Sequence, residues 1–311
     1  MIEVKSVSKS FDGLRAIDNI DMTVNSGSIY GLVGTNGSGK TTILNMLCGV
    51  TRQDSGTIMF DGTPVYENPA VKQRLWYIPD DLAFYGPYTI NELARFFGRM
   101  FPHWNAAILD VTLQHFHLDR DKRILRMSKG MRKQAVFALG FASEPDYLIL
   151  DEPIDGLDPL VRKRIWELIV GASADRGMTT VISSHNLREM EGFCDSICAI
   201  DHGKVFIERD LDDLKSDIHK LQVSFGSNAS SAGNAQGSDA RTGIDAYRDL
   251  NVLKQWSSGS VDFLIVKNSQ QELDRFAAAA KPVIFDRIPL TLEEIFIYEL
   301  DRGNDEYTSR L

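Results

Sequence analysis

Three short stretches hold residues whose types and spacing can do chemistry. GTNGSGKT, Gly34 to Thr41, follows the spacing GxxxxGK[ST]; it begins at the last residue of the apolar run SIYGLVG and leads into ILNMLCGV. Glycines let a backbone wrap closely around a phosphate so that its N–H groups donate to it. Lys40 then neutralises β- and γ-phosphates, and the Thr41 hydroxyl can hold Mg²⁺. Gly34, Asn36, Gly37, Ser38, Gly39, Lys40, Thr41 and Thr42 are therefore candidate nucleotide-binding residues. YLILDE, Tyr147 to Glu152, is an apolar run ending in two carboxylates. Asp151 can bind Mg²⁺ through water and Glu152 can polarise the water that attacks a γ-phosphate. A surface acidic pair is the plain alternative, and the phosphate loop favours the catalytic one. MSKGMRKQ, Met127 to Gln134, sets Ser128 and Gly130 among Lys129, Arg132 and Lys133 at an expected helix start. Unpaired N–H groups there can hold a phosphate, or Ser128 can simply cap a surface helix.

The elements that must position these residues are legible in the apolar spacing. Strands with turns at Asp12-Gly13 and Ser26-Gly27 lead to SIYGLVG, and a helix opens at Lys40 to Thr42. TIMFDGTPV and LWYIPDD read as strands, whereas TINELARFFGRMF, Ala106 to Leu118 and Lys129 to Ala142 have helical spacing. The middle of the chain, about 82–142, thus looks like a helical insertion into an α/β domain. The β pattern returns in YLILDEP, TTVISSH and SICAIDHGKVF, separated by the helix VRKRIWELIVGAS. After about residue 215 the texture changes. A Ser, Gly and Asn-rich stretch, about 226–243, reads as a flexible loop inside a small C-terminal α+β domain, 216–311. The last helix carries a capping box, Thr291 with Glu294, and apolar Leu292, Ile295, Phe296 and Leu300.

Composition excludes several classes. With 43% hydrophobic and 25% charged residues in 311, the chain fits a soluble protein of two domains. A net charge of -9 argues against a chain that coats nucleic acid. Cys48, Cys194 and Cys198 form an odd set without a CxxC pair, which suits a reducing compartment. Cys194, Cys198 and His202 are a conceivable metal set, with buried thiols the commoner case. No apolar run is long enough to span a bilayer, so the chain is expected in the cytosol unless another protein carries it to a membrane.

GTNGSGKT, MSKGMRKQ, YLILDEPIDGLDP and SSHNLREME occur in the order and approximate spacing of the ATP-binding cassette of ABC transporters, which the chain resembles over about residues 1–215. The resemblance implies a P-loop NTPase cassette of α/β class with a helical subdomain. It also implies ATP and Mg²⁺ as ligands. By the same resemblance Phe11 stacks on adenine, Glu152 is the catalytic carboxylate, Asp158 contacts the opposite subunit and His185 senses the γ-phosphate. Ser128 and Gly130 of the signature bind the ATP held by that subunit.

Two departures from the family pattern stand out. Asp80 in IPDD replaces the usual glutamine, and we expect it to contact Mg²⁺ more strongly than an amide would; its plain role is to cap the segment that follows. The signature LSGGQ appears as MSKGM, with Lys129 in place of a glycine, either near the γ-phosphate or in solvent. Such variants, and the ending TLEEIFIYEL, resemble ATP-binding subunits of bacterial exporters whose permease is a separate polypeptide. The expected function is a transport motor on the cytoplasmic face of the membrane. Its partners are a second cassette, identical or not, and separately encoded integral membrane permease subunits, with no nucleic acid. The contact with those subunits is expected near Asp81 to Trp104, where FYGPY and FPHWN are read as exposing aromatic residues for a partner helix, with core packing the plain alternative. The alternative is a cytosolic ABC ATPase acting on nucleic acid, ribosomes or cofactor assembly, which the acidic balance and single cassette disfavour.

Overall fold

The computed structural model describes residues 1–82, 87–225 and 247–300, apart from the side chains of Asp217, Phe296, Ile297, Glu299 and Leu300. The loop expected at about 226–243 and most of FYGPY lie outside the described residues. The chain divides into two compact units, Met1–Arg209 and Asp210–Leu311.

The first unit opens with a long hairpin, β1 (Ile2–Phe11) and β2 (Leu14–Val24). Its two-residue turn, Asp12-Gly13, has φ of 47° and 82° at the two positions, matching the right-handed twist of the strands. Then come β3 (Ile29–Val33), α1 (Lys40–Leu47), β4 (Ser55–Phe60), the short β5 (Thr63–Pro64), α2 (Pro69–Lys72) and β6 (Leu75–Ile78). Three helices follow: α3 (Ile90–Met100), α4 (Ala106–Phe116) and α5 (Lys129–Ala142). The unit continues with β7 (Tyr147–Asp151), α6 (Pro159–Arg176), β8 (Thr179–Ser184), α7 (Leu187–Met190), β9 (Ser196–Asp201) and β10 (Lys204–Asp210). SICAIDHGKVF, expected as one β stretch, is two strands. His202 and Gly203 turn the chain between them with φ of 45° and 75°.

Two sheets share one core. The first has the order β2-β1-β4-β5 and the second β10-β9-β3-β8-β7-β6. β3, β7 and β8 are buried along their whole length, as parallel strands covered on both faces must be. Ile43, Leu44 and Leu47 of α1 join Val4, Ile20 and Phe60 of the first sheet to Leu32, Ile149 and Val181 of the second. This apolar contact holds the helix that begins at Lys40 in place.

The helical insertion is built from strongly signalled helices. Thr89 and Glu92 form a complete capping box on α3, Asn105 caps α4 and Ser128 caps α5. The insertion leans on Trp76 of β6, whose ring lies 4.9 Å from Phe97 and 5.3 Å from Phe101. The aromatics of FPHWN are therefore half-buried packing residues rather than an exposed set, because Phe101 folds onto Trp76 and Trp104 covers Gly98. Among the described residues of 81–104, Tyr88, Phe96 and Met100 are exposed large apolar residues.

In the second unit α8 (Leu211–Asp217) packs on β11 (Ile218–Ser224). β12 (Val252–Ser258), β13 (Val261–Lys267), α9 (Gln270–Ala280), β14 (Ile284–Ile288) and α10 (Leu292–Leu300) follow. The antiparallel sheet has the order β12-β13-β11-β14. Leu221, Val223, Leu264 and Val266 pack with Leu273 and Phe276 of α9.

One close approach ties α5 to the second sheet. A Cβ at Gly140 would lie 2.6 Å from Trp76 Nε1 and 2.7 Å from its Cδ1, so the helix can seat there only without a side chain. Gly140→Ala is expected to destabilise the first unit by about 1–3 kcal/mol, seen as a lower melting temperature by circular dichroism.

Candidate active site

Parallel register gathers the site. Val33 of β3 pairs with Ser184 of β8, and Ser183 pairs with Asp151 of β7. The three strands end at one edge of the sheet, where Gly34, His185 and Glu152 follow in turn.

The phosphate loop closes over this edge. Gly37 and Gly39 have φ of 83° and 113°, a region that L side chains rarely adopt. A Cβ at Gly34 would collide with the Ile200 carbonyl and with Ser38 Oγ. Ser38 Oγ is itself buried without a hydrogen-bond partner, a hydroxyl inside the loop that a phosphate oxygen would satisfy. Lys40, 6% exposed, donates to the carbonyls of Gly34 at 2.7 Å and Thr35 at 3.2 Å, and lies 3.5 Å from Glu152 Oε1.

Glu152 is held in a left-handed backbone conformation, φ 43°, uncommon for a residue with a side chain. Its N–H donates to Ser183 Oγ at 3.0 Å, and that hydroxyl donates to Asp151 Oδ1 at 2.6 Å. Its carbonyl accepts from Lys133 Nζ at 2.9 Å. The carboxylate is thereby aimed back between Lys40 and His185, whose Nδ1 is 3.0 Å from Oε2. Burial pulls the Lys133 ammonium below the usual lysine range, against the opposing pull of Asp80.

An open cleft of about 410 Å³ runs along these groups, lined by Asn36, Gly37, Gly39, Lys40, Thr41, Thr42, Asp80 and Glu152. Its size suits a nucleotide. Leu14, Arg15, Ala16 and His202 complete the wall, and sequence reasoning had missed all four for this site. Phe11 is exposed, with Lys9 Nζ 5.2 Å from its ring centre, and stands outside the cleft lining, next to its β-partner Leu14. Asp151 is 1% exposed and outside the cleft lining, where its carboxylate accepts from the Ser183 hydroxyl.

Ser128, Gly130 and Asp158 are not in this cleft. Ser128 caps α5 by accepting the Met131 N–H, and Asp158 caps α6 by accepting the Leu160 N–H; both are exposed. The basic residues of MSKGMRKQ part company. Lys129 is exposed and Arg132 half-buried, whereas Lys133 is 0% exposed and points inward.

Among the described residues no group of three or more His, Cys, Asp or Glu could hold a metal ion. The hard oxygens of Thr41 and Asp80 do share the cleft with Lys40, and Mg²⁺ is commonly held by one or two protein oxygens together with substrate phosphates. Cys194 and Cys198 lie in the core, Cys194 Sγ against Met190 Sδ at 3.5 Å, and burial pushes the Cys198 thiol up to about 12.

A glycine-lined loop between a buried parallel strand and a helix, with carboxylates at the end of a nearby strand, defines a P-loop nucleoside triphosphatase. The chain matches the ABC transporter family over residues 17–155. The ABC transporter ATP-binding protein YtrB of Bacillus subtilis (strain 168) is 31% identical over 297 residues, 96% of this chain and 97% of that protein. Nod factor export ATP-binding protein I of Burkholderia lata is 35% identical over 213 residues, 67% of this chain and 70% of that protein. A solved structure of an ATP-binding subunit of an ABC transporter superposes with a TM-score of 0.65 at 27% identity, over 69% of this chain and 92% of that one. This chain belongs to the ATP-binding proteins of ABC transporters. It is an ATPase, and ATP is its nucleotide.

Because Gly34 has no room for a methyl group, Gly34→Ala is expected to weaken ATP binding at least tenfold. Titration with a fluorescent ATP analogue checks this.

Proposed function

We propose that this chain is the motor subunit of an exporter, working as a cassette dimer that holds ATP at the interface and drives separate membrane subunits from the cytoplasmic face. One observation carries the dimer. Ser128, the α5 N-terminus and Asp158 are exposed and lie outside the chain's own cleft, so they are available to a second cassette. The export reading is supported by the relative that is named for Nod factor export. No helix among the described residues is long and apolar enough to cross a membrane, so the membrane path is assigned to other subunits. Tyr88, Phe96 and Met100, exposed on the part of the helical insertion expected to make that contact, are apolar residues that would meet them. The cassette, expected to run to about 215, would end near Arg209, with α8 belonging to the small α+β domain by its packing on β11.

In this reading the loop N–H groups and Lys40 bind the phosphates, with Phe11 against adenine. Thr41 and Asp80 would hold Mg²⁺, with Asp151 fixed behind them by Ser183. Bound Mg²⁺ would offset charge on the phosphate oxygens. Glu152 accepts a proton from the attacking water, and His185, hydrogen-bonded to Glu152, orients that carboxylate and meets the γ-phosphate.

Glu152→Gln keeps the shape of the side chain and loses the base. It is expected to bind ATP, lower turnover at least a hundredfold and elute as an ATP-dependent dimer in size-exclusion chromatography; a monomer at every ATP concentration would overturn the dimer. Asp80→Ala is expected to raise the Mg²⁺ concentration for half-maximal hydrolysis, and an unchanged Mg²⁺ curve would remove Asp80 from the metal site.

A further inference from the structure

The phosphate loop, its cleft and the exposed signature leave one buried charge unused. Lys133 lies one helical turn beyond Lys129 on α5 and is fully buried, yet its amine reaches three different oxygens. It donates to the Glu152 carbonyl at 2.9 Å and to the Asp155 carbonyl at 3.4 Å, and it lies 3.8 Å from Asp80 Oδ1. Those oxygens belong to separate pieces of chain. Glu152 and Asp155 form the turn after β7, Asp80 follows β6, and Lys133 itself belongs to the helix that carries the signature.

The arrangement bears on the carboxylate rather than only on the fold. A left-handed residue with a side chain persists only when its surroundings restrain it. Here the peptide groups on both sides of the Glu152 Cα are fixed by side chains, the N–H by Ser183 Oγ and the carbonyl by Lys133 Nζ. Removing the amine would free the carbonyl and let the backbone relax, turning the carboxylate away from Lys40 and His185. The same amine sits against the Asp80 carboxylate, which lines the cleft. A change at Asp80 would therefore reach Glu152 through one shared ammonium.

We propose that Lys133 is a positioning residue for ATP hydrolysis: paired with Asp80, it couples the segment after β6 and the signature helix to the orientation of Glu152. The inference rests on Glu152 being the base proposed above. It adds a residue that touches neither phosphate nor water.

The test compares Lys133→Met, Lys133→Gln, Asp80→Asn and the double variant Lys133→Met/Asp80→Asn in the full chain, reading kcat and the dissociation constant of a fluorescent ATP analogue separately. Lys133→Met is expected to lower kcat at least tenfold while ATP affinity stays within about twofold, since Lys40 and its loop are untouched. Lys133→Gln retains a donor for the carbonyls and is expected to recover part of that loss. With kcat read at saturating Mg²⁺, so that the metal role of Asp80 drops out, the double variant is expected to match Lys133→Met, because Asp80 then reaches Glu152 only through Lys133. Wild-type kcat in Lys133→Met would overturn the proposal, and so would a double-variant loss equal to the product of the single ones. If Lys133→Met does not fold, Lys133→Gln carries the comparison, with intermediate kcat and unchanged affinity expected and unchanged kcat refuting. Failure of the Glu152 reading shows separately, as near-normal turnover in Glu152→Gln.

Discussion

Everything in the site depends on three parallel strands ending at the same level. The register of β3, β8 and β7 puts the residues after Val33, Ser184 and Asp151 side by side, so a loop, a histidine and a carboxylate from distant parts of the chain share one edge. Strand side chains alternate between faces, so a slip of one residue in any of these pairings would turn Asp151 and Ser183 to the wrong side. Tyr30 and Leu32 of β3, Tyr147 and Ile149 of β7 and Val181 of β8 sit at alternate positions in the common core, and a slip would take them out of it. The polar residues at the strand ends are thus fixed by the apolar residues behind them.

Charge at this edge is balanced locally. Lys40, nearly buried, rests on two carbonyls of its own loop and faces Glu152, while Glu152 also meets His185. Lys133 sits deeper, with three oxygens around it. Stripping a buried ammonium of such partners costs about 3–5 kcal/mol, enough to fix where these segments meet. Ser183 does similar work without charge, donating to Asp151 and accepting from Glu152 with one hydroxyl.

The parts of the site legible in the sequence are those encoded by neighbours in the chain. GTNGSGKT announces itself because close backbone turns need glycines at fixed intervals, and YLILDE because a buried strand ending in carboxylates is rare without a use. The helices of the insertion were legible from spacing and caps such as Thr89 with Glu92. Ser183 was not, since its importance comes from a strand more than thirty residues earlier. Lys133 looked like its basic neighbours, but one further turn of α5, about 5.4 Å, carries it from the surface to the interior. Whether the aromatics of FPHWN pack or stand exposed was left open for a related reason, because only the fold shows that Phe101 lies on Trp76 and Trp104 on Gly98. Leu14 to Ala16 carry no chemical signal and enter the cleft through the shape of the first hairpin.

The strand order also sets a schedule for synthesis. The hairpin of β1 and β2 and its neighbours β4 and β5 can pair soon after they are made, but β3 ends at Val33 and its partners β8 and β9 begin only at Thr179 and Ser196. At ribosomal speeds of about 5–20 residues per second, both edges of β3 wait on the order of ten to thirty seconds for a neighbour. During that interval the glycine loop is attached to a strand that has no sheet. The phosphate loop therefore gains its sheet only after the carboxyl half of the cassette has been made, although the loop itself is made near the beginning.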